Sequence, residues 1–198
     1  MDKQGGDTLT DEEIVKKIIQ GNQDMFPQLI ERYKDKIFTL VYRYTNDYGE
    51  AQDVAQEIFI KIYKQMHTFR FQSKVSTWIY RVATNSCIDW DRKRKTKQDT
   101  IYLVNEELVI DQERGPEQLF ILNEQREAVR DIINGLPENY KLLVIMYHFQ
   151  NMRYKEISEV LDMPMKTIET GLYRARMMIK KQMEIHYGGG ELLWSAKK

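Results

Sequence analysis

The sequence predicts an all-α protein of two small helical domains joined by a flexible linker. Three observations predict it. Apolar residues recur at three- and four-residue steps from Ile14 to Ile179, the period of helix faces packed on a core. Helix start and stop signals punctuate that recurrence. Within residues 98–115 the period lapses into an acidic stretch ending at Gly115-Pro116, which reads as a linker. The expected parts are a loose N-terminus at 1–9, a first domain at 10–97, the linker at 98–115, a second domain at 116–186 and a Gly-rich tail at 187–198.

Thr10 opens the first helix, because Thr10 and Glu13 form a capping-box pattern before Ile14, Val15, Ile18 and Ile19. Gly21 ends it. Asp24 is the expected N-cap of the second helix, with Pro27 in its first turn, where a missing N–H costs little. Phe26, Ile30, Tyr33, Ile37, Val41 and Tyr44 form its stripe. Asn46-Asp47 breaks it, and Asp47 and Glu50 frame the third helix. Val54, Ile58, Ile62 and Met66 point inward there, while Asp53, Gln56 and Glu57 lie off the stripe.

Phe69–Lys95 reads FRFQSKVSTWIYRVATNSCIDWDRKRK: an aromatic pair, a polar loop, an amphipathic run and a basic end. The helix is expected from Thr77, with Trp78, Ile79, Val82, Ala83, Ser86 and Trp90 on one side. Tyr80, Asn85, Asp89 and Arg92 fall on other faces, open to a ligand. Arg92–Lys95 place positive charge at a helix C-terminus, which the macrodipole favours. Arg and Lys hold phosphates, Asn reads base edges and aromatics stack on unpaired bases. The same residues also fit a core helix with a solvated basic end.

In the second domain Pro116 opens a helix that Gly135 closes, and Leu136-Pro137-Glu138 starts the next. A short helix over Tyr154–Leu161, a turn at Asp162-Met163-Pro164 and a last helix over Met165–Met183 follow. Ile168, Leu172, Ala175 and Ile179 make the inner stripe of the last helix. Lys166, Glu169, Thr170, Tyr173 and Met177 share the outer face, flanked by Arg174, Arg176, Lys180 and Lys181. Two short helices with a tight turn, the second exposing polar and basic groups, read as a helix-turn-helix for duplex DNA. A solvated αα-hairpin fits the same pattern.

Charge and rare residues bound the function. The chain has 198 residues, with 30 Lys and Arg against 30 Asp and Glu, so its formal net charge is zero. The charge is segregated: Thr84–Lys97 and Met165–Lys181 are basic, Tyr48–Glu57 and Asn105–Glu117 acidic. A chain of this balance is expected to bind DNA poorly alone and to need a partner. Cys87 is the single cysteine, so a disulfide framework within one chain is excluded. His67, His148 and His186 have no metal-ligand spacing, and no cofactor is expected. No nucleophile–base pair or Gly-rich phosphate loop is visible, so the chain does not read as an enzyme. The N-terminus is acidic and polar, unlike a signal peptide, and no apolar run reaches membrane-spanning length, so a cytoplasmic protein without membrane insertion is expected.

Three segments carry a family resemblance. TWIYRVATNSCIDWDRKRK resembles the promoter-melting segment of sigma-70 family RNA polymerase sigma factors, through Thr77, Trp78, Tyr80, Arg81, Ala83, Asn85, Ile88, Asp89 and Arg92. DVAQEIF resembles that family's polymerase-gripping run. LPENYKLLVIMYHFQNMRYKEISEVLDMPMKTIETGLYRARMMIKK resembles its C-terminal domain. With no extra domain between them, the match is to the two-domain extracytoplasmic-function (ECF) group. The resemblance implies core-polymerase contacts at Asp53, Gln56 and Glu57. It implies minus-ten DNA contacts at Phe69, Arg70, Phe71, Ser73, Lys74, Tyr80, Asn85, Asp89 and Arg92. Minus-thirty-five contacts follow at Lys166, Thr167, Glu169, Thr170, Tyr173, Arg174 and Arg176. It further implies a stress-response regulon and an anti-sigma factor. Where many members have Gly in the loop, this chain has Phe71-Gln72-Ser73. Asp162 replaces the usual turn Gly, which Asp tolerates. Lys166 stands where Gly or Ser is frequent. Glu169 and Gly171 replace frequent Lys and Arg, which is expected to remove charge from the DNA side. A polymerase-independent helix-turn-helix regulator, a helical adaptor and, more distantly, an RNA-processing enzyme are the rival readings.

Overall fold

The structure, a computed structural model, describes residues 9–101 and 129–187, and these form helices and turns with no strand among them. They fall into two compact units. One holds residues up to Trp90 with Ser158–Asp162, the other Asp91–Ile157 and the residues from Met163 onward.

In the first unit α1 (Asp11–Ile19) starts with the expected capping box: Thr10 Oγ1 accepts from Glu13 N–H at 3.2 Å, and Glu13 Oε2 accepts from Thr10 N–H at 2.7 Å. Gly21 leaves it at φ +103°, a left-handed exit that suits glycine. Asp24 does not cap the next helix. It lies in a 3₁₀ turn, Gln23–Met25, and α2 (Phe26–Thr45) starts behind Met25 with no side-chain cap. Pro27 in the first turn makes that start tolerable, since proline presents no orphan N–H. Asn46, at φ +59°, terminates α2, and Asp47 caps α3 (Tyr48–Gln65) by accepting from Glu50 N–H at 2.8 Å.

The core of this unit joins Ile14, Val15 and Ile18 of α1 to Leu29, Tyr33, Ile37, Leu40, Val41 and Tyr44 of α2. Val54, Ile58 and Ile62 bury as the expected stripe of α3, and Met66 buries in the 3₁₀ turn that follows it. Burying each such side chain contributes about 1.5–3 kcal/mol. Helix α4 (Val75–Ile101) begins two residues before the expected Thr77 and continues into the stretch expected to be linker. The expectations for residues 102–128, including the helix opened by Pro116, and for 1–8 and 188–198 lie outside the described residues.

In the second unit α5 (residues 129–134) ends at Gly135, whose N–H donates to Asp131 O. Pro137 precedes α6 (Glu138–Val144), which continues as a π-helical turn over Ile145–Phe149. Helix α7 (Tyr154–Leu161), which the division into units crosses at Ser158, has the predicted bounds, while α8 (Met165–Tyr187), in the second unit, outruns its predicted end at Met183. Ile132, Ile133, Leu136, Val144, Ala175 and Ile179 form one core cluster, with Ile157, Ile168 and Leu172 also buried.

Candidate nucleic-acid interface

Three surfaces carry the residues that the sequence singles out. The first is on α3. Asp53, Gln56 and Glu57 are exposed, opposite the buried stripe. Glu57 pairs with Lys61 at 3.2 Å, and Lys61 Nζ also donates to Ser86 Oγ at 3.1 Å, which ties this face to α4. A row of hydrated acidic groups can dock a basic partner and set its orientation and approach rate.

The second surface is the loop before α4 and the helix that follows. Phe69 N–H donates to Met66 O at 3.1 Å, closing the loop's entry. Phe69 itself does not line an open pocket. It is 8% exposed, between Trp78 (ring centroids 5.3 Å) and Phe71 (4.8 Å). Phe71 is 45% exposed, at φ +56°. The left-handed region costs an aromatic residue on the order of 1–3 kcal/mol, so its surroundings must hold it there. The other non-glycine residues described at positive φ are Asn46, Asn151 and Asp162, types that tolerate it. Phe71 thus forms the outer end of a three-ring ladder, a face on which an unpaired base can stack. Arg70 and Lys74 are exposed beside it and Ser73 is half-buried.

Along α4, Asn85, Asp89 and Arg92 are exposed as expected. Tyr80 is not. It is 7% exposed, with its ring edge-on to Tyr33 at 6.5 Å. The expected stripe gave α4 a single inner face. Burial of Val75, Ile79, Tyr80, Val82, Ala83, Thr84, Ser86 and Cys87 shows that it is covered on more than one side. Trp78 and Trp90 are half-buried, and Trp90 Nε1 donates to Glu50 Oε2 at 2.8 Å.

Beneath this surface, Arg32 Nη1 donates to Asp11 Oδ1 at 2.6 Å and Tyr33 Oη to Asp11 Oδ2 at 2.5 Å. Burial, then the bond to Asp11, raises the Tyr33 pKa well above the ordinary phenol value. The Thr10 backbone N–H, then its hydroxyl, lowers the Glu13 pKa.

The third surface is α8. Asp162 holds the turn at φ +53°, and Thr167 N–H donates to Pro164 O at 2.8 Å. Lys166, Thr167, Glu169, Thr170, Tyr173 and Arg174 are exposed, Tyr173 at 63%. Arg176 leaves this group. It is half-buried with its guanidinium 5.6 Å from the Tyr147 ring centroid, a cation–π arrangement. Gly171 is also misplaced by the sequence reading. It faces inward, and a Cβ there would lie 2.5 Å from Leu143 Cδ1. Its missing side chain serves close helix packing on α6, so of Glu169 and Gly171 only Glu169 changes the charge of the outer face.

Sequence reasoning missed Glu12. Its Oε1 accepts the Val75 N–H at 3.2 Å, across 63 positions of sequence. No local pattern signals such a partner.

Comparison with known proteins places the chain among relatives. Residues 29–97 match the family model described as Sigma-70 region 2, and residues 126–179 match Sigma-70, region 4. The chain is 33% identical over 180 residues to the ECF RNA polymerase sigma factor SigW of Bacillus subtilis, covering 85% of this chain and 94% of that one. It is 32% identical over 183 residues to the ECF RNA polymerase sigma-E factor of Escherichia coli K12, covering 89% and 95%. Two solved structures share the fold at 17% identity. CnrH in complex with the cytosolic domain of CnrY superposes with a TM-score of 0.64, covering 87% of this chain and 96% of that one. The sigma factor RpoE in complex with the anti-sigma factor NepR, from Bartonella quintana, gives 0.62, covering 81% and 97%.

Proposed function

We propose a residue-level division of labour for a chain that belongs to the ECF group of the sigma-70 family of RNA polymerase sigma factors: it binds core RNA polymerase and directs promoter-specific transcription initiation. Asp53, Gln56 and Glu57 dock the polymerase. Their exposure on a helix whose other side is fully packed supports that role. The loop from Phe69 to Lys74, with Asn85, Asp89 and Arg92, captures the non-template strand of the minus-ten element. Extruding a base costs a few kcal/mol. Stacking on Phe71 returns about 1–3 kcal/mol, and Asn85 supplies base-edge hydrogen bonds. Tyr80 and Phe69 act beneath this surface as support for the loop and helix.

Upstream, Lys166, Thr167, Thr170, Tyr173 and Arg174 seat α8 in the major groove at the minus-thirty-five element. Glu169 is placed to accept from a cytosine amino group. Arg176 steadies α8 from within. The chain supplies binding free energy, and bond formation stays with the polymerase. The observation that carries this reading is the open three-ring ladder at Phe71, followed on α4 by the exposed Asn85, Asp89 and Arg92.

Three further points belong to this reading, the second of them supported by the RpoE complex, whose partner NepR is an anti-sigma factor. The regulon is a stress response, an anti-sigma factor sequesters the chain, and initiation takes place in the cytoplasm. Among the described residues no helix is long and apolar enough to cross a membrane. In vitro transcription with purified core enzyme on a promoter library tests the reading. Selected start sites preceded by a common two-part element are expected. A footprint on duplex DNA by the chain alone would favour a polymerase-independent regulator, which leaves the α3 and α4 surfaces unexplained.

A further inference from the structure

We infer that Glu12 is a positioning residue for the base-capture loop: from α1 it caps the first N–H of α4 and thereby fixes where Lys74 and the strained Phe71 sit. The inference rests on the reading of this loop as the minus-ten site. Lys74 O accepts the Trp78 N–H at 3.1 Å, which makes Lys74 the residue at the N-cap of α4. A lysine side chain has donors only, so it cannot satisfy the orphan N–H groups of the helix it starts. Glu12 Oε1 does so in its place, accepting from Val75 N–H at 3.2 Å. A carboxylate at a helix N-terminus also opposes the positive end of the macrodipole.

Glu12 is held for this task. Its neighbour Asp11 receives Arg32 Nη1 at 2.6 Å and Tyr33 Oη at 2.5 Å, while Arg32 Nη2 donates to Leu9 O at 2.6 Å. This fork fixes α1 on α2, and Tyr33 in turn meets Tyr80 of α4 edge-on. The loop is therefore closed at both ends, by Phe69 N–H on Met66 O and by Val75 N–H on Glu12. Between these closures Phe71 keeps a left-handed backbone that its own side chain disfavours. A strained conformation persists only where the surroundings over-determine it. Glu12 is not among the residues proposed to contact DNA or core, so its side chain can be changed without removing any of those proposed contacts.

The test uses the full chain bound to core RNA polymerase, with Glu12→Ala and Glu12→Gln. Fluorescence anisotropy measures binding of a single-stranded non-template minus-ten oligonucleotide, and separately of an upstream minus-thirty-five duplex. Glu12→Ala is expected to weaken binding of the single strand by about tenfold or more, the size of one lost hydrogen bond to a charged group. The upstream duplex should bind unchanged. Glu12→Gln keeps an acceptor and should recover most of the affinity. Both variants lose the negative charge, so their difference isolates the cap from any repulsion of phosphate. Unchanged single-strand binding by Glu12→Ala overturns the inference. So does an equal loss in both variants, or a parallel loss on the duplex. If the unaltered complex does not prefer the minus-ten strand over a scrambled one, the reading of the loop itself fails, and the inference falls with it.

Discussion

The loop before α4 and the turn before α8 solve one problem in opposite ways. Each delivers the chain into a helix proposed to meet DNA, and each places a non-glycine residue at positive φ. In the turn it is Asp162, at φ +53°, a short polar residue that adopts the left-handed region at low cost. In the loop it is Phe71, at φ +56°, which does not. The turn is specified by its own residues, the loop by contacts from Glu12 and Met66. The difference suits the targets. Duplex DNA has a regular groove that a straight helix meets as it stands, so a locally determined turn suffices. An unstacked base needs a receiving surface that no regular element provides, and a backbone held under strain can present one.

Perturbations should separate the two regions. The largest effect is expected at Leu172, which is 1% exposed in the core under α8. Leu172→Ala should cost about 2–5 kcal/mol in chemical denaturation of the second unit, with the first unit's transition unmoved. A shared transition would show that the units do not fold independently.

Contact residues come next. Arg174→Ala should weaken the upstream duplex by about tenfold and reduce the salt slope of binding by about one. Asn85→Ala should instead reduce binding of the single-stranded minus-ten element, by about 1–3 kcal/mol, and change its base preference. Competition binding with core enzyme present reads both. Equal effects of the two variants on both DNA forms would erase the distinction.

Tyr33 probes the support under the loop. Its folded-state pKa lies well above the ordinary phenol value, raised first by burial and then by the bond to Asp11. The stability that it contributes is therefore fully present below about pH 10 and lost as pH rises through the folded value. Tyr33→Phe should cost about 1–2 kcal/mol at neutral pH and flatten the alkaline decline in a denaturation series. A steep decline that survives the substitution would assign it elsewhere. The smallest stability change is expected for Phe71→Gly, within about 1 kcal/mol of zero, because relieved backbone strain offsets the lost ring contact. Its single-strand affinity should still fall by about tenfold. A large loss of stability would mean that Phe71 is structural and not poised.

What the sequence made legible follows from the same contrast. The α1 capping box, the Asp47 cap, the bounds of α7 and the inner stripe of α8 were readable because each depends on residues within a turn or two. Asp24 failed as a cap because a 3₁₀ turn intervenes, which propensity does not foresee. Tyr80 was misplaced because periodicity assigns a helix one inner face and cannot count the neighbours that pack on it, and Phe69 because only the positions of Trp78 and Phe71 reveal that its ring is enclosed. Gly171 was aligned with an outward arginine, yet only the position of Leu143 reveals its inward role. The exposure of Asn85, Asp89, Arg92, Lys166 and Tyr173 was legible in the sequence, and the parts that hold them were not.

Permanganate reactivity of promoter thymines, with core RNA polymerase and this chain added singly and together, tests the central claim most directly. Two surfaces that read two states of DNA on one polymerase predict reactive thymines in the minus-ten element only when both proteins are present. Upstream protection should appear in the same reaction. Opening by core alone, or duplex protection by the chain alone without opening in the mixture, would contradict it.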